Sequence, residues 1–114
     1  MSRTSRSDVL QRIRATRRTV APDRAMLAAE VAIRSLGINP DRARSAVREP
    51  DACLARAILA GVLYRMSLVS LRQVGRYMKC GKATAQARLM RFERLGQRDE
   101  ILAAARAALA KMPA

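Results

Sequence analysis

Residues 70–95 read SLRQVGRYMKCGKATAQARLMRFERL, a pattern typical of two short helices joined by a tight turn. Ser70, followed three positions later by Gln73, is typical of a capping box, in which each residue satisfies a free backbone N–H of the other at the helix start. Three apolar positions then recur at helical spacing: Leu71, Val74 and Met78. The Lys-Cys-Gly sequence at 79–81 interrupts this pattern, and a second helical pattern begins at Lys82. We therefore predict a helix-turn-helix unit.

The second helix of this unit is predicted to have one apolar and one exposed face. The inward stripe consists of Ala85, Leu89 and Phe92, and the opposite face carries Thr84, Ala87, Arg88 and Arg91, with Lys82 and Ala83 near the start. A helix start offers free backbone N–H groups and the positive end of the helix dipole, and both suit a phosphate. An exposed helix of this kind can enter the major groove of DNA.

The charge of the chain is large and unevenly distributed. The 114 residues carry a net charge of +14, and all but three of the 23 cationic side chains are Arg. Residues 72–98 hold eight cations and one acid, and residues 1–20 hold six and one, whereas residues 21–70 hold seven and five. Such a field attracts polyanions, and the Arg fork suits phosphates and guanine edges. A codon bias toward Arg and Ala is the alternative explanation of the composition.

The remaining segments also have helical patterns, so we expect an all-α, compact helical bundle. After a flexible basic arm over residues 1–7, one domain over 8–112 is expected to contain helices near 8–18, 22–36, 50–66, 70–78, 82–95 and 99–111. Residues 42–49 are either a short helix or a basic loop. Gly37 is expected to end the second of these helices, and Leu36 to face the core.

The predicted core is centred on the helix over residues 50–66. Its apolar positions are Leu54, Ile58, Leu59, Val62, Leu63 and Met66, and Cys53 is expected to be a small core residue. Gly61 is expected to allow the close approach of another helix. Gly75 is expected to lie where two helices cross, so that a side chain there would clash.

The composition argues against several other classes of protein. The chain has no His, and its two cysteines lie far apart, so we expect no metal site, no cofactor and no catalytic residues. The near absence of aromatic residues argues against stacking of RNA bases. No apolar segment has the length of a membrane span and no signal peptide is visible, so we expect a cytoplasmic, nucleoid-associated protein without membrane contact.

Three segments resemble the C-terminal DNA-binding domain, domain IV, of the replication initiator DnaA. They are Ala-Arg-Ala-Ile-Leu-Ala at 55–60, Ser-Leu-Arg-Gln-Val-Gly at 70–75 and Arg-Phe-Glu-Arg-Leu at 91–95, and the resemblance spans about residues 38–95. It implies a helix that precedes a Ser-Leu-x-x-Ile-Gly helix, and a recognition helix after that. It also implies a basic loop that reaches the minor groove, at the place of Arg42, Arg44, Ser45 and Arg48.

The chain departs from that family where the recognition helix begins. The family has Asp-His-Thr-Thr there, whereas this chain has Gly-Lys-Ala-Thr-Ala at 81–85 and retains at most Thr84. Each lost base contact removes about 1–3 kcal/mol of discrimination, so binding to the family's usual box is doubtful. The chain also has no Gly-rich phosphate loop for ATP. The resemblance therefore indicates a stand-alone DnaA-like regulator, such as the activators of gene-transfer-agent clusters (the GafA/GafY type).

We thus expect a protein that binds double-stranded DNA in a sequence-specific manner and regulates transcription. Among the forms of regulation, we expect activation first. Its predicted DNA-binding residues are Arg42, Arg44, Arg48, Ser70, Arg72, Lys79, Lys82, Ala83, Thr84, Ala87, Arg88 and Arg91. RNA polymerase or another transcription factor would be its protein partner, and the oligomeric state is left open.

Two alternative functions are compatible with the same sequence. One is control of replication initiation by competition at origin sites, and the other is a helical module that binds a protein. On the second view, Arg88, Arg91 and Arg94 form only a solvated helix face, and Thr84 is an ordinary surface residue.

Overall fold

The structure is a computed structural model that describes residues 19–45 and 47–113. Within these ranges the chain forms five α-helices and one 3-10 helix and contains no strand, so the predicted all-α bundle is confirmed. The elements are α1 (Pro22–Ser35), the 3-10 helix (Pro40–Arg44), α2 (Pro50–Ser67), α3 (Leu71–Met78), α4 (Lys82–Glu93) and α5 (Arg98–Lys111). The predicted basic arm and the helix over 8–18 lie outside the described residues.

Helix α1 begins at a proline and is closed by Gly37 just after its end, as the sequence predicts. Pro22 fits the first turn because that position needs no N–H donor. Gly37 has a φ of +80°, and its N–H donates to the carbonyl of Arg34 at 2.9 Å. This left-handed residue closes the helix, as glycine commonly does. The prediction for Leu36 is wrong, since the helix ends one residue earlier and leaves that side chain 37% exposed.

Helix α2 is the centre of the core and is buried along nearly all of its length. Ile58, Val62 and Leu63 are fully buried, and the helix packs against α1, α4 and the 3-10 helix. A Cβ at Gly61 would overlap the fully buried ring of Phe92 on α4. The expected close approach at Gly61 is thus confirmed. Cys53 is only half-buried, and its sulfur lies 4.0 Å from Arg56 Nη1 at the edge of the core, which corrects its placement as a core residue.

The predicted helix-turn-helix unit, residues 70–95, contains α3, a turn at 79–81 and α4. Both bonds of the predicted capping box are present: Ser70 Oγ accepts from the Gln73 N–H, and Gln73 Oε1 accepts from the Ser70 N–H at 3.1 Å. A Cβ at Gly75 would lie 2.6 Å from the carbonyl oxygen of Cys80. The expected clash at Gly75 is therefore with the following turn, and the prediction that a second helix crosses there is wrong.

The last helix closes the bundle against α1. Helix α5 packs mainly against α1 and contributes Ile101, Leu102 and Ala105 to the core. None of the helices in the described ranges is long and apolar enough to cross a membrane.

Candidate nucleic-acid interface

None of the seven cations at 70–95 has a carboxylate partner among the described residues. These cations are Arg72, Arg76, Lys79, Lys82, Arg88, Arg91 and Arg94. All of them are exposed except Arg88, which is half-buried. Cations without acid partners repel one another, so the binding of an anion would lower the electrostatic energy of this surface.

The only acid of the unit, Glu93, is held away from this surface. Arg65 of α2 forms a two-pronged ion pair with Glu93, in which Nε lies 2.9 Å from Oε1 and Nη2 donates to Oε2. Arg98 at the start of α5 adds a third bond, from Nη1 to Oε2 at 3.0 Å. Hydrogen bonding from Arg65 is the main reason why the pKa of Glu93 lies below its ordinary value. The same bond raises the pKa of Arg65.

The start of α4 is open to solvent. Gly81 occupies the N-cap and supplies no side-chain cap, so its extended backbone leaves the first-turn N–H groups uncovered by a side chain. Four predicted contact residues of this half, Lys82, Ala83, Thr84 and Ala87, are exposed. The helix therefore presents an uncapped, positively charged start with small side chains next to it.

Arg88 differs from its neighbours on α4. Its side chain is half-buried, and its Nη1 lies 3.5 Å from the sulfur of Cys80 in the turn. The sequence predicts a fully outward position for Arg88, and that prediction is wrong in detail. The residue lies on the side of α4 that faces the basic loop, whereas Arg91 is exposed one turn further along.

The basic loop is a 3-10 helix followed by residues 45 and 47–49, of which Ser45 and Glu49 have extended backbone. Its first two predicted cations are partly occupied. Arg42 forms an ion pair with Glu49, and Arg44 lies 2.9 Å from Glu30 Oε1 of α1. Arg48 is exposed and has no acid partner in the described part of the chain. Arg48 is thus the loop cation that is most available to a ligand.

Two further predicted residues lie at the start of α3. Arg72 is exposed, in line with its predicted role as a surface cation. The hydroxyl of Ser70 is used by the capping box, so the structure gives Ser70 a role in positioning α3.

A cleft of about 510 Å³ separates the basic loop from the helix-turn-helix unit. Five cationic side chains line it: Arg44, Arg48 and Arg56 from one side, and Lys79 and Arg88 from the other. Ser45, Tyr77 and one acid, Glu30, complete the polar part of its wall. The cleft thus brings together four of the predicted contact residues that are far apart in the sequence.

Arg56 was missed as a site residue by the sequence analysis. It is only 9% exposed, and its guanidinium donates to the carbonyls of Ala43, Ser45 and Val47 in the basic loop. A buried Arg requires partners, and here they are backbone carbonyls. The signal that could have identified it is its position as the one charged residue within the apolar pattern at 52–63.

Comparison with models of protein families, with curated proteins and with solved structures finds no match to this chain.

Proposed function

We propose that this protein binds double-stranded DNA in a sequence-specific manner and regulates transcription. Activation is the form of regulation that we expect first. In this proposal α4 enters the major groove as the recognition helix of a DnaA-like helix-turn-helix. The basic loop contacts phosphates or the adjacent minor groove.

One observation carries the proposal: the seven cations at positions 72–94 lack acid partners within the described ranges, while Glu93 is bound by Arg65 and Arg98. An ordinary solvated surface intersperses acids with its cations, whereas the one acid of this stretch is already paired with arginines outside it. A row of Arg and Lys on an exposed helix-turn-helix is the electrostatic footprint that a polyanion such as DNA requires.

The dimensions of the unit are also suitable. Helix α4 has 12 residues, which corresponds to a length of about 18 Å. The major groove of DNA is about 12 Å wide and admits one α-helix. If α4 lies in the major groove and Arg48 lies at the next minor groove, the phosphate strand between the two grooves falls at the cationic cleft.

The test is a comparison of a selected DNA site with scrambled DNA. The site is obtained by repeated selection from a random duplex library, and affinities are measured by fluorescence anisotropy at fixed salt. We expect Lys82→Ala and Arg91→Ala to weaken binding to the selected site more than binding to scrambled DNA. Loss of one good base contact costs about 1–3 kcal/mol, or roughly 5- to 150-fold.

The matched control is Arg106→Ala on α5, an exposed cation without an ion pair in the described part of the chain. It removes the same charge on a different helix and should leave the discrimination unchanged. If Lys82→Ala and Arg91→Ala lower the affinity for both DNAs equally, these two residues contact phosphates and not bases. Failure to enrich any site would reject sequence-specific recognition.

A second candidate function of the same surface is competition for binding sites at replication origins. The Gly-Lys-Ala-Thr-Ala sequence at the start of α4 differs from the family's Asp-His-Thr-Thr, so we expect no preference for the family's origin box. A gel-shift comparison of that box with promoter fragments separates the two roles, because a clear preference for the box would favour the competitor role.

A protein partner is favoured by a different observation. Leu27 and Val31, one turn apart on α1, are 53% and 41% exposed. An apolar pair on an outer helix face is compatible with docking to RNA polymerase or to another transcription factor. Substitution of both residues by Gln should then reduce activation without changing affinity for DNA.

A further inference from the structure

Two side chains attach the basic loop to the helices: Arg44 pairs with Glu30 of α1, and Arg56 of α2 binds the loop backbone. Arg56 Nε lies 3.2 Å from the Ala43 carbonyl oxygen, Nη2 lies 2.7 Å from that of Val47, and Nη2 also donates to that of Ser45. These acceptors span the end of the 3-10 helix and the residues after it. One guanidinium therefore binds three successive parts of the loop.

Apolar burial holds the loop at the start of the 3-10 helix, where Pro40 is buried, and only weakly after it. Val47 is 44% exposed, Arg48 is exposed and Ala43 is half-buried. Bonds within the loop are short-range, such as those from the Ser45 N–H and hydroxyl to the carbonyl of Arg42. The position of the loop relative to α2 thus depends strongly on Arg56.

We infer that Arg56 is a positioning residue, which keeps Arg44 and Arg48 across the cleft from Lys79 and Arg88. The effect of Arg56 on DNA binding rests on the proposed function, but its effect on the position of the loop does not. A planar guanidinium offers donors in two directions, whereas the Lys ammonium is a single point on a flexible stem. Arg56→Lys therefore keeps the charge and removes the three-carbonyl attachment.

The first test needs no DNA. The loop arginines are trypsin sites, and cleavage of a native protein follows the population of locally opened forms when opening is fast. We expect Arg56→Lys to increase the rate of cleavage at the Arg44–Ser45 bond by about tenfold, because hydrogen bonds of a charged donor are lost. Fragments are identified by mass spectrometry, and the matched control Arg106→Lys should cleave at the wild-type rate.

Two outcomes of this first test would overturn the inference. One is an unchanged cleavage rate in Arg56→Lys. The other is a loss of helical circular dichroism in that variant, since this would make Arg56 a determinant of the whole fold instead of the loop.

The second test measures coupling between Arg56 and Arg48 on duplex DNA. In the wild-type background, Arg48→Ala should lower affinity about fivefold to tenfold in 0.1 M salt, as expected for one lost phosphate contact. In the Arg56→Lys background the same substitution should have almost no further effect, because the loop is already displaced. Equal losses in both backgrounds, or wild-type affinity of Arg56→Lys, would show that Arg56 acts only as a charge.

The outcomes of the two tests are independent of each other. A wild-type protein that does not bind DNA would reject the proposed function, while the trypsin result would still decide whether Arg56 holds the loop. If cleavage is faster but the losses of DNA affinity in the two backgrounds are equal, Arg56 holds the loop but has no positioning role in DNA binding.

Discussion

At the scale of the residue, Lys79 takes a backbone conformation that glycine adopts more easily. Its φ is +56°, and it closes α3 through two bonds: its own N–H to the Arg76 carbonyl at 3.2 Å, and the Cys80 N–H to the Gly75 carbonyl at 2.8 Å. This pair is a Schellman motif, in which the left-handed residue is most often Gly. A cation with a Cβ at this position is conformationally costly.

Lys79→Gly should therefore change stability and DNA affinity in opposite directions. Relief of the left-handed conformation is expected to raise the free energy of unfolding by about 1 kcal/mol. Loss of the ammonium from the cleft is expected to weaken DNA binding. Urea unfolding and fluorescence anisotropy measure the two effects.

Lys79→Ala is the matched control, since it removes the same charge but keeps a Cβ at positive φ. It should lose as much DNA affinity as Lys79→Gly without the gain in stability. A loss of stability in Lys79→Gly would contradict the conformational argument. Wild-type affinity in both variants would remove Lys79 from the interface.

At the scale of the element, the contact between α2 and α4 depends on the absence of a side chain at Gly61. Gly61→Ala would place a methyl group in the volume of the Phe92 ring, which is fully buried and has little room to move. We expect a loss of about 1–3 kcal/mol in the free energy of unfolding, measured with urea. Gly96→Ala is the control, because a Cβ there meets nothing within 4 Å. Similar effects of the two substitutions would contradict this packing argument.

The ion pair of Glu93 joins α2, α4 and α5 and should make stability depend on pH. Because the folded pKa of Glu93 lies below its ordinary value of 4.5, its contribution is present above that value. It is lost as the pH falls through the lower folded pKa. Wild type should thus be more stable than Glu93→Gln at neutral pH, and urea unfolding at decreasing pH should show this difference vanish.

Glu100→Gln supplies the comparison for this pH series. Glu100 is exposed in the first turn of α5 and has no ion pair within the described ranges. Its substitution removes a carboxylate without breaking an ion pair, so the comparison isolates the effect of the Glu93 pairs. A difference between wild type and Glu93→Gln that stays constant with pH would show that the carboxylate charge is not responsible.

The elements with strong local signals could be predicted from the sequence. The capping box at Ser70, the glycine end of α1 and the apolar pattern of α2 involve residues within one or two turns, so their physical causes are visible in the sequence. The basic loop could not be predicted in this way. Its conformation depends on Arg56 and on the pairing of Arg44 with Glu30, contacts that arise only once the helices have packed.

The same limit applies to the candidate site. The sequence predicts which residues of α4 are cationic and which are small, and the exposure of Lys82, Thr84 and Arg91 agrees with it. The partial burial of Arg88 beside Cys80 and the occupation of Arg42 by Glu49 require distances between elements. Whether these residues contact DNA stays a prediction.

At the scale of the whole molecule, the ion pairs divide the charge into a compensated and an uncompensated part. The described acid–base pairs lie at the 3-10 helix and the ends of α2, α4 and α5, through Glu30, Asp41, Glu49, Glu93 and Asp99. The seven cations at positions 72–94 have no ion pair in the described part of the chain. One stretch of the described sequence therefore holds a group of cations whose single acid, Glu93, is already paired.

This group of cations predicts a steep dependence of DNA affinity on salt. Each Lys or Arg that neutralises a phosphate releases a condensed counterion, and the slope of log affinity against log salt is about −0.9 for each contact. If six to ten of the uncompensated cations contact phosphates, affinity for a duplex should fall about 10³- to 10⁵-fold between 50 and 200 mM salt. Anisotropy titrations over this range measure the slope.

Single substitutions then show which cations contribute to the slope. Arg94→Ala, in the uncompensated region, should reduce its magnitude by about one if Arg94 contacts a phosphate, whereas Arg34→Ala on the exposed part of α1 should leave it unchanged. Weak binding with little salt dependence would mean that these cations do not neutralise phosphates. The exposed apolar pair on α1 would then be the better guide to function, because a protein partner would remain as the ligand for which the surface is suited.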